Sequence, residues 1–135
     1  MELAIRYFSR TGNTRKLAFA LGEALGIEAK DLNEPLEKAD ILFLGSAVYG
    51  AKLDDAVVSY LRNLDKTSIS LIIPFSTTAI VKSSYPLIKK IADEQHLKLS
   101  EEHFFCKAQA GFLHKGRPNR HDLEQAKAFA LRMTQ

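Results

Sequence analysis

Ser9-Arg10-Thr11-Gly12-Asn13-Thr14 directly follows the run Leu3-Ala4-Ile5-Arg6-Tyr7-Phe8, and a helical pattern is established by Leu17. Strand-like residues stop at Phe8, so hydroxyls and one glycine are concentrated where a strand hands over to a helix. Such a turn aims several backbone N–H groups at one point, and the helix dipole adds positive potential there. Ser9, Thr11 and Thr14 supply further donors, and Gly12 lets the backbone approach a guest closely. The guest that suits these groups is a phosphate. The loop is not a Walker A, which needs wider glycine spacing followed by Lys and Ser or Thr. Nor is it GxGxxG, because it has only one glycine. The plainer alternative is an ordinary strand-to-helix turn with Thr11 as N-cap.

Beyond that turn, Leu17, Leu21, Ala24 and Leu25 recur at helical spacing, and Gly26 is placed to end the helix. Ile27–Leu32 reads as a short edge strand before a turn around Pro35. Ile41-Leu42-Phe43-Leu44-Gly45 is a continuous apolar run, as expected of a parallel strand covered on both faces. The segment Ser46–Leu53 then reads as a loop. Asp54 or Asp55 caps a helix whose buried stripe is Val57, Leu61 and Leu64. Ile69–Phe75 is another buried strand, and Ser76-Thr77-Thr78-Ala79 forms a second hydroxyl-rich loop at its carboxyl end. Leu87, Ile88 and Ile91 mark the next helix, capped by Ser83 or Ser84. A fifth strand falls between Leu97 and Cys106, and a long loop runs from Lys107 to Arg120. Asp122 with Gln125 makes a capping-box-like pattern for a last helix burying Ala126, Phe129, Ala130 and Met133.

Strands and helices thus alternate, apart from a short link between strands two and three. That order predicts a parallel sheet wrapped on both sides. In such sheets ligands sit outside the carboxyl ends of the strands, at the switch point of strand order. The loops after strands one, three and four would share that edge, and all three are rich in small or hydroxyl residues.

With 135 residues, 46% hydrophobic and 26% charged, the chain is expected to form one globular domain over 1–135. No apolar stretch approaches a membrane span, and no export signal is visible at the start. The lone Cys106 excludes an internal disulfide and fits a reducing cytoplasm. A net charge of +3 is too mild for a nucleic-acid signature. The basic cluster Lys107, Lys115, Arg117 and Arg120 has no interleaved aromatic platform for RNA. It reads as a solvated loop, or as a docking patch for an acidic redox partner or for the phosphates of a nicotinamide donor. His96, His103, His114, His121 and Cys106 show no metal-ligand spacing, and no CxxC or nucleophile elbow is present.

With the three loops in view, the chain resembles the short-chain flavodoxins and their flavodoxin-like relatives over nearly its full length. Ser-x-Thr-Gly-Asn-Thr at 9–14 is similar to the FMN phosphate loop of that family. Gly45-Ser46-Ala47-Val48-Tyr49-Gly50 is similar to the loop beside the flavin ring, and Phe75-Ser76-Thr77-Thr78 to the start of the other flavin-contacting loop. The resemblance implies a flavodoxin-like three-layer α/β sandwich with a five-stranded parallel sheet in the order 2-1-3-4-5. It implies one non-covalently bound FMN. Ser9, Thr11, Asn13 and Thr14, with the N–H groups of Arg10 and Gly12, would hold its phosphate, with no metal. Ser46, Ala47, Val48, Tyr49 and Gly50 would flank the ring. Tyr49 would lie on the ring face, and the Gly50 peptide would turn over on one-electron reduction, which only a residue without Cβ does cheaply. Ser76, Thr77 and Thr78 would bond the ribityl chain or pyrimidine end.

The implied role is electron transfer between a reductase and an acceptor enzyme, by a cytoplasmic monomer or weak dimer. Two departures from the acidic electron carriers stand out. The chain is basic, with Arg10 in the phosphate loop and Lys52 after the flavin loop, so cations should stabilise the reduced anion. The segment after Phe75 lacks the aromatic that often sandwiches the ring, leaving one face open or covered by Phe112. These departures favour an alternative: an FMN-dependent oxidoreductase acting directly on a quinone, porphyrinogen or other small planar molecule. A non-redox receiver-like module is a further class, but it needs acidic residues at the ends of its first strands, and Tyr7-Phe8-Ser9 supplies none.

Overall fold

The computed structural model of the chain describes residues 1–49, 51–79 and 83–135. Among these, the strands are β1 (Leu3–Tyr7), β2 (Ala29–Asp31), β3 (Ala39–Tyr49), β4 (Lys52–Leu53), β5 (Ile69–Thr78) and β6 (Phe104–Lys107). The helices are α1 (Asn13–Leu25), α2 (Asp55–Asn63), α3 (Tyr85–Glu94) and α4 (Arg120–Met133). The sheet order is β2-β1-β3-β5-β6, all parallel, with β4 paired antiparallel to the end of β3. Counting the parallel strands alone gives the expected order; β4 is an addition that sequence reading did not supply.

Period-two alternation along the strands assigns each side chain to one of two cores. Ala4, Leu42, Leu44 and Ile72 pack with Val57, Leu61, Ile88 and Ala92, under α2 and α3. Ile5, Phe43, Ile73 and Phe75 pack with Leu17, Leu21, Ala126 and Phe129, under α1 and α4. Helices therefore cover both faces, in the three layers that the apolar runs of β3 and β5 require. Gly45 sits where the second core is tightest: a Cβ there would lie 2.5 Å from Phe75 Cε2 and 3.0 Å from Tyr7 Cβ.

Arg6 breaks the apolar run of β1 and is nevertheless only 5% exposed. Its guanidinium donates to the carbonyls of Glu34, Ile5 and Pro35 at 3.2, 3.0 and 2.8 Å. The buried cation is thus spent on fastening the β2–β3 connection, which satisfies groups whose burial would otherwise be costly.

Several local expectations are corrected. Gly12, at φ +94°, is the N-cap of α1, not Thr11. Gly26 ends that helix at φ +70°, as expected. The segments Ser46–Tyr49 and Ser76–Thr78 are not loops but the last turns of long strands, because neighbouring β3 and β5 continue to pair through Ser46–Ser76 and Ala47–Thr77. Asp54 caps α2, accepting from Ala56 N at 2.9 Å. The capping box of α4 is Asn119 with Asp122, three residues earlier than the Asp122–Gln125 reading. Asn119 was overlooked because it follows Pro118, inside what reads as loop.

Candidate functional site

β1 is flanked by β2 on one side and β3 on the other, so strand order reverses at β1 and a crevice opens at its carboxyl end. α1 begins there. Its N-cap is a glycine in the left-handed region with no side-chain cap. The first N–H groups of a helix have no intrahelical partner, so those of Asn13, Thr14 and Arg15 point toward the crevice. Inside the loop, Gly12 N donates to Ser9 Oγ at 3.0 Å, and Arg10 N donates to Tyr49 Oη at 3.2 Å. These two amides brace the turn. The donors left facing outward are therefore the first-turn amides, one step further along the chain than the resemblance implied.

A cleft of about 240 Å³ opens at this point. Thr11 lines it from the first loop, Asn13 and Thr14 from α1, and Ala47, Val48 and Tyr49 from the end of β3. Thr77, Thr78 and Ala79 line it from β5, and residues 108–111 close the fourth side. Three separate segments flagged in the sequence thus meet in one place. Ser9, Arg10, Gly12, Ser46 and Ser76 do not line it, and Gly50 lies outside the described residues.

The hydroxyls below the cleft are already engaged. Thr14 Oγ1 and Thr77 Oγ1 are 2.8 Å apart, both residues buried. Ser46 Oγ donates to Ser84 Oγ at 3.1 Å, and Ser84 N donates to Ser76 Oγ at 3.4 Å. Ser46 and Ser76 thereby tie β3 and β5 to the start of α3. They shape the floor from beneath, as buried hydroxyls must when they have partners.

Arg10 is held away from the helix N-terminus. Its guanidinium lies 3.8 Å from the centroid of the Tyr49 ring and forms an ion pair with Asp54. The Ala56 N–H and then Arg10 hold the Asp54 carboxyl below the usual aspartate range. One face of Tyr49 is thus occupied by a paired cation, while the same ring borders the cleft.

Sequence reading missed the run Ala108-Gln109-Ala110-Gly111. Its signal was present: small residues at the carboxyl end of a parallel strand, the same logic that found the other three segments. Asn13 Nδ2 donates to Gln109 O at 3.3 Å, which joins this run to the first loop. Phe112 is turned out to solvent and does not cover the cleft. Cys106 is buried on β6, and burial pushes its thiol up to about 12, so it behaves as a small apolar residue. A larger cleft of about 540 Å³ lies between residues 32–36 and α2. It runs along the side of α2 from Ala56 to Asn63 and holds none of the three segments flagged in the sequence.

Residues 4–117 match the family described as Flavodoxin domain. The chain belongs to that family. Its members are FMN-binding flavoproteins. No curated protein matches the sequence at a significant level. Among solved structures, this flavodoxin domain is similar to oxidised flavodoxin 2 from Bacillus cereus, with TM-score 0.75 and 17% identity over 99% of this chain and 98% of that one. It is also similar to a flavodoxin from the domain Archaea, with TM-score 0.70 and 15% identity over 98% and 96% of the two chains. The rubredoxin oxygen:oxidoreductase of Desulfovibrio gigas contains a similar portion, with TM-score 0.72 and 16% identity over 96% of this chain but 34% of that one. At these identities the likeness is one of fold.

The donor set of this flavodoxin domain fits FMN. An uncapped helix N-terminus suits a phosphate monoester without help from a metal or a lysine. A cleft bordered by an aromatic ring, alanines and threonines suits a flat apolar ring with polar edges.

Proposed function

We propose that residues 1–135 form one flavodoxin domain that holds FMN non-covalently in this cleft and serves as a cytoplasmic electron carrier between a reductase and an acceptor enzyme. The observation that carries the reading is the uncapped N-terminus of α1, with Gly12 at φ +94°, opening into a cleft that Tyr49 and Thr78 also border. Bound FMN supplies one- and two-electron redox chemistry. The chain's part is to bind and orient it. The N–H groups of Asn13, Thr14 and Arg15 and the side chains of Thr11 and Asn13 take the phosphate. Ser9 and Tyr49 brace the loop that presents them. Ala47, Val48 and Tyr49 bound one side of the ring site, and Thr77 and Thr78 the floor.

Titration of flavin-free protein with FMN, followed by quenching of flavin fluorescence, tests the reading. One FMN per chain should bind, riboflavin should bind far more weakly, and inorganic phosphate should compete. Protein that leaves FMN fluorescence unchanged would overturn it.

A second reading is favoured by the outward position of Phe112, which leaves the cleft without an aromatic cover from residues 108–117. On that reading the bound flavin passes electrons directly to a quinone, a porphyrinogen or another planar molecule. Steady-state turnover of NAD(P)H and quinones by the FMN-loaded protein separates the two. Turnover without any partner protein supports the enzyme, and its absence supports the carrier.

A further inference from the structure

The loop between β6 and α4 is built as a rigid finger. Ala110 N donates to Leu113 O at 3.1 Å and Leu113 N to Ala110 O at 3.0 Å, so Gly111 and Phe112 form a two-residue tip. Gly111 has φ +58°, the positive value that tight hairpin tips need at their first central position. Lower down, Gln109 N donates to Arg117 O at 2.9 Å, and Gly116 N to Gln109 Oε1 at 3.1 Å. His114 Nε2 lies 2.9 Å from Ala79 O, which ties the finger to the end of β5. At its base, Arg117 forms a two-bond ion pair with Asp122, whose carboxylate also takes the Asn119 N–H at 2.8 Å.

At the tip of this braced structure Phe112 is 103% exposed and Leu113 48% exposed. A whole phenyl ring left in water is apolar area that burial would favour, and the finger offers nothing of its own to cover it. Along this stretch of chain, charge has one sign. From His103 to His121 the sequence contains no Asp or Glu, while it holds Lys107, Lys115, Arg117 and Arg120. Arg117 is neutralised by Asp122; Lys115 and Arg120 are exposed. An exposed aromatic on a stretch of chain that carries only cations suits a partner with an apolar socket and carboxylates.

We propose that this finger is the docking surface for an acidic redox protein, with Phe112 entering an apolar socket and Lys115 and Arg120 meeting carboxylates on its rim. This deepens the carrier reading by naming the partner's chemistry, and it takes its purpose from that reading. Gln109 and Ala110 in the finger's stem and Gly111 at its tip line the cleft, so a protein seated on the tip lies against the site where electrons would be exchanged. A membrane surface is the poorer occupant, since one Phe–Leu pair offers little area to a bilayer. Pre-ordering favours a shaped partner, because less entropy is lost on binding.

The test is titration of 15N-labelled protein with an acidic plant-type ferredoxin, with basic cytochrome c as the charge-reversed control. Shifts should concentrate in residues 107–121 with ferredoxin and be absent there with cytochrome c. Affinity should fall about tenfold between 50 and 300 mM salt, as screening of rim charges requires. F112A should weaken binding about thirtyfold, the loss typical of a central aromatic anchor, and K115E about tenfold, with both variants retaining the wild-type spectrum elsewhere. Equal binding by F112A, or shifts by cytochrome c at the finger, would overturn the proposal. So would Phe112-dependent sedimentation with phosphatidylserine vesicles in the absence of ferredoxin binding. None of these readouts needs flavin, so failure of FMN to bind overturns the carrier reading and leaves this result to be judged separately.

Discussion

Replacing Thr14 and Thr77 by valine, singly and together, tests whether the floor of the cleft is a structural hydroxyl pair. The two oxygens are 2.8 Å apart, and both residues are at most 2% exposed. Thr14 Oγ1 has a second, marginal acceptor in Ser46 O at 3.5 Å. Valine preserves shape, so Thr14→Val strands the Thr77 hydroxyl, and Thr77→Val leaves the Thr14 hydroxyl only its marginal contact with Ser46 O. That costs about 1–3 kcal/mol, whereas removing both partners together is close to neutral. Thr14→Val and Thr77→Val should therefore each destabilise by about 1–2 kcal/mol. The double variant should fall within about 0.5–1 kcal/mol of wild type, giving a coupling energy of about 1–3 kcal/mol. Urea unfolding of the flavin-free protein reads this directly. With m of about 2 kcal/mol/M, each single variant shifts the midpoint by about 0.5–1 M while m stays constant. A double variant as unstable as the sum of the singles would refute the argument, because the hydroxyls would then be partnered elsewhere.

Gly12→Ala should destabilise by about 1–2 kcal/mol through backbone strain alone, since φ is +94° and a Cβ would meet nothing within 4 Å; a thermal melt should drop by about 3–6 °C. Gly45→Ala drives a Cβ into Phe75 and should cost about 1–3 kcal/mol in urea unfolding, with Phe75→Leu recovering part of the loss in the double variant. Asp122 is held below the ordinary aspartate value first by Arg117 and also by the Asn119 N–H. Its stabilisation is therefore full above the unfolded value of about 3.9 and is lost as pH falls through the lower folded one. Asp122→Asn should lower stability at pH 7 and flatten the acid limb of a stability–pH curve. For the FMN-loaded protein, Arg10→Met should move the flavin midpoint potential down and Asp54→Asn should move it up, with the double variant near wild type; a spectroelectrochemical titration showing the same sign for both would contradict the pairing seen between them.

The sheet was legible because strand burial on both faces leaves continuous apolar runs, and Ile41–Gly45 and Ile69–Phe75 are such runs. Strand ends were not, for a definite reason. Ser46, Ser76 and Thr77 have turn-like composition, yet they continue β3 and β5 because their hydroxyls find buried partners across neighbouring elements. Local composition cannot reveal partners that lie tens of residues away. The same limit hid Arg6, whose carbonyl partners come from the Glu34–Pro35 connection. It also hid the role of Arg10. In the sequence that residue is simply a cation in a phosphate loop; the structure gives it to Asp54 and Tyr49 across two other elements.

That last placement changes what a basic chain means here. A net charge of +3 suggests a cofactor site with surplus positive potential, which would favour the reduced anion. The cation nearest the phosphate loop is instead neutralised by a carboxylate, so the surplus is not delivered at the floor of the cleft through Arg10. It is concentrated on the finger and the start of α4, which carry Lys115, Arg120 and an exposed ring, with no acidic residue in the sequence from His103 to His121. Charges so exposed act mainly on encounter and on the choice of partner, and they are screened within about 8–10 Å at ordinary ionic strength. The chain's basic character therefore bears on what docks beside the cleft far more than on the potential of what lies within it.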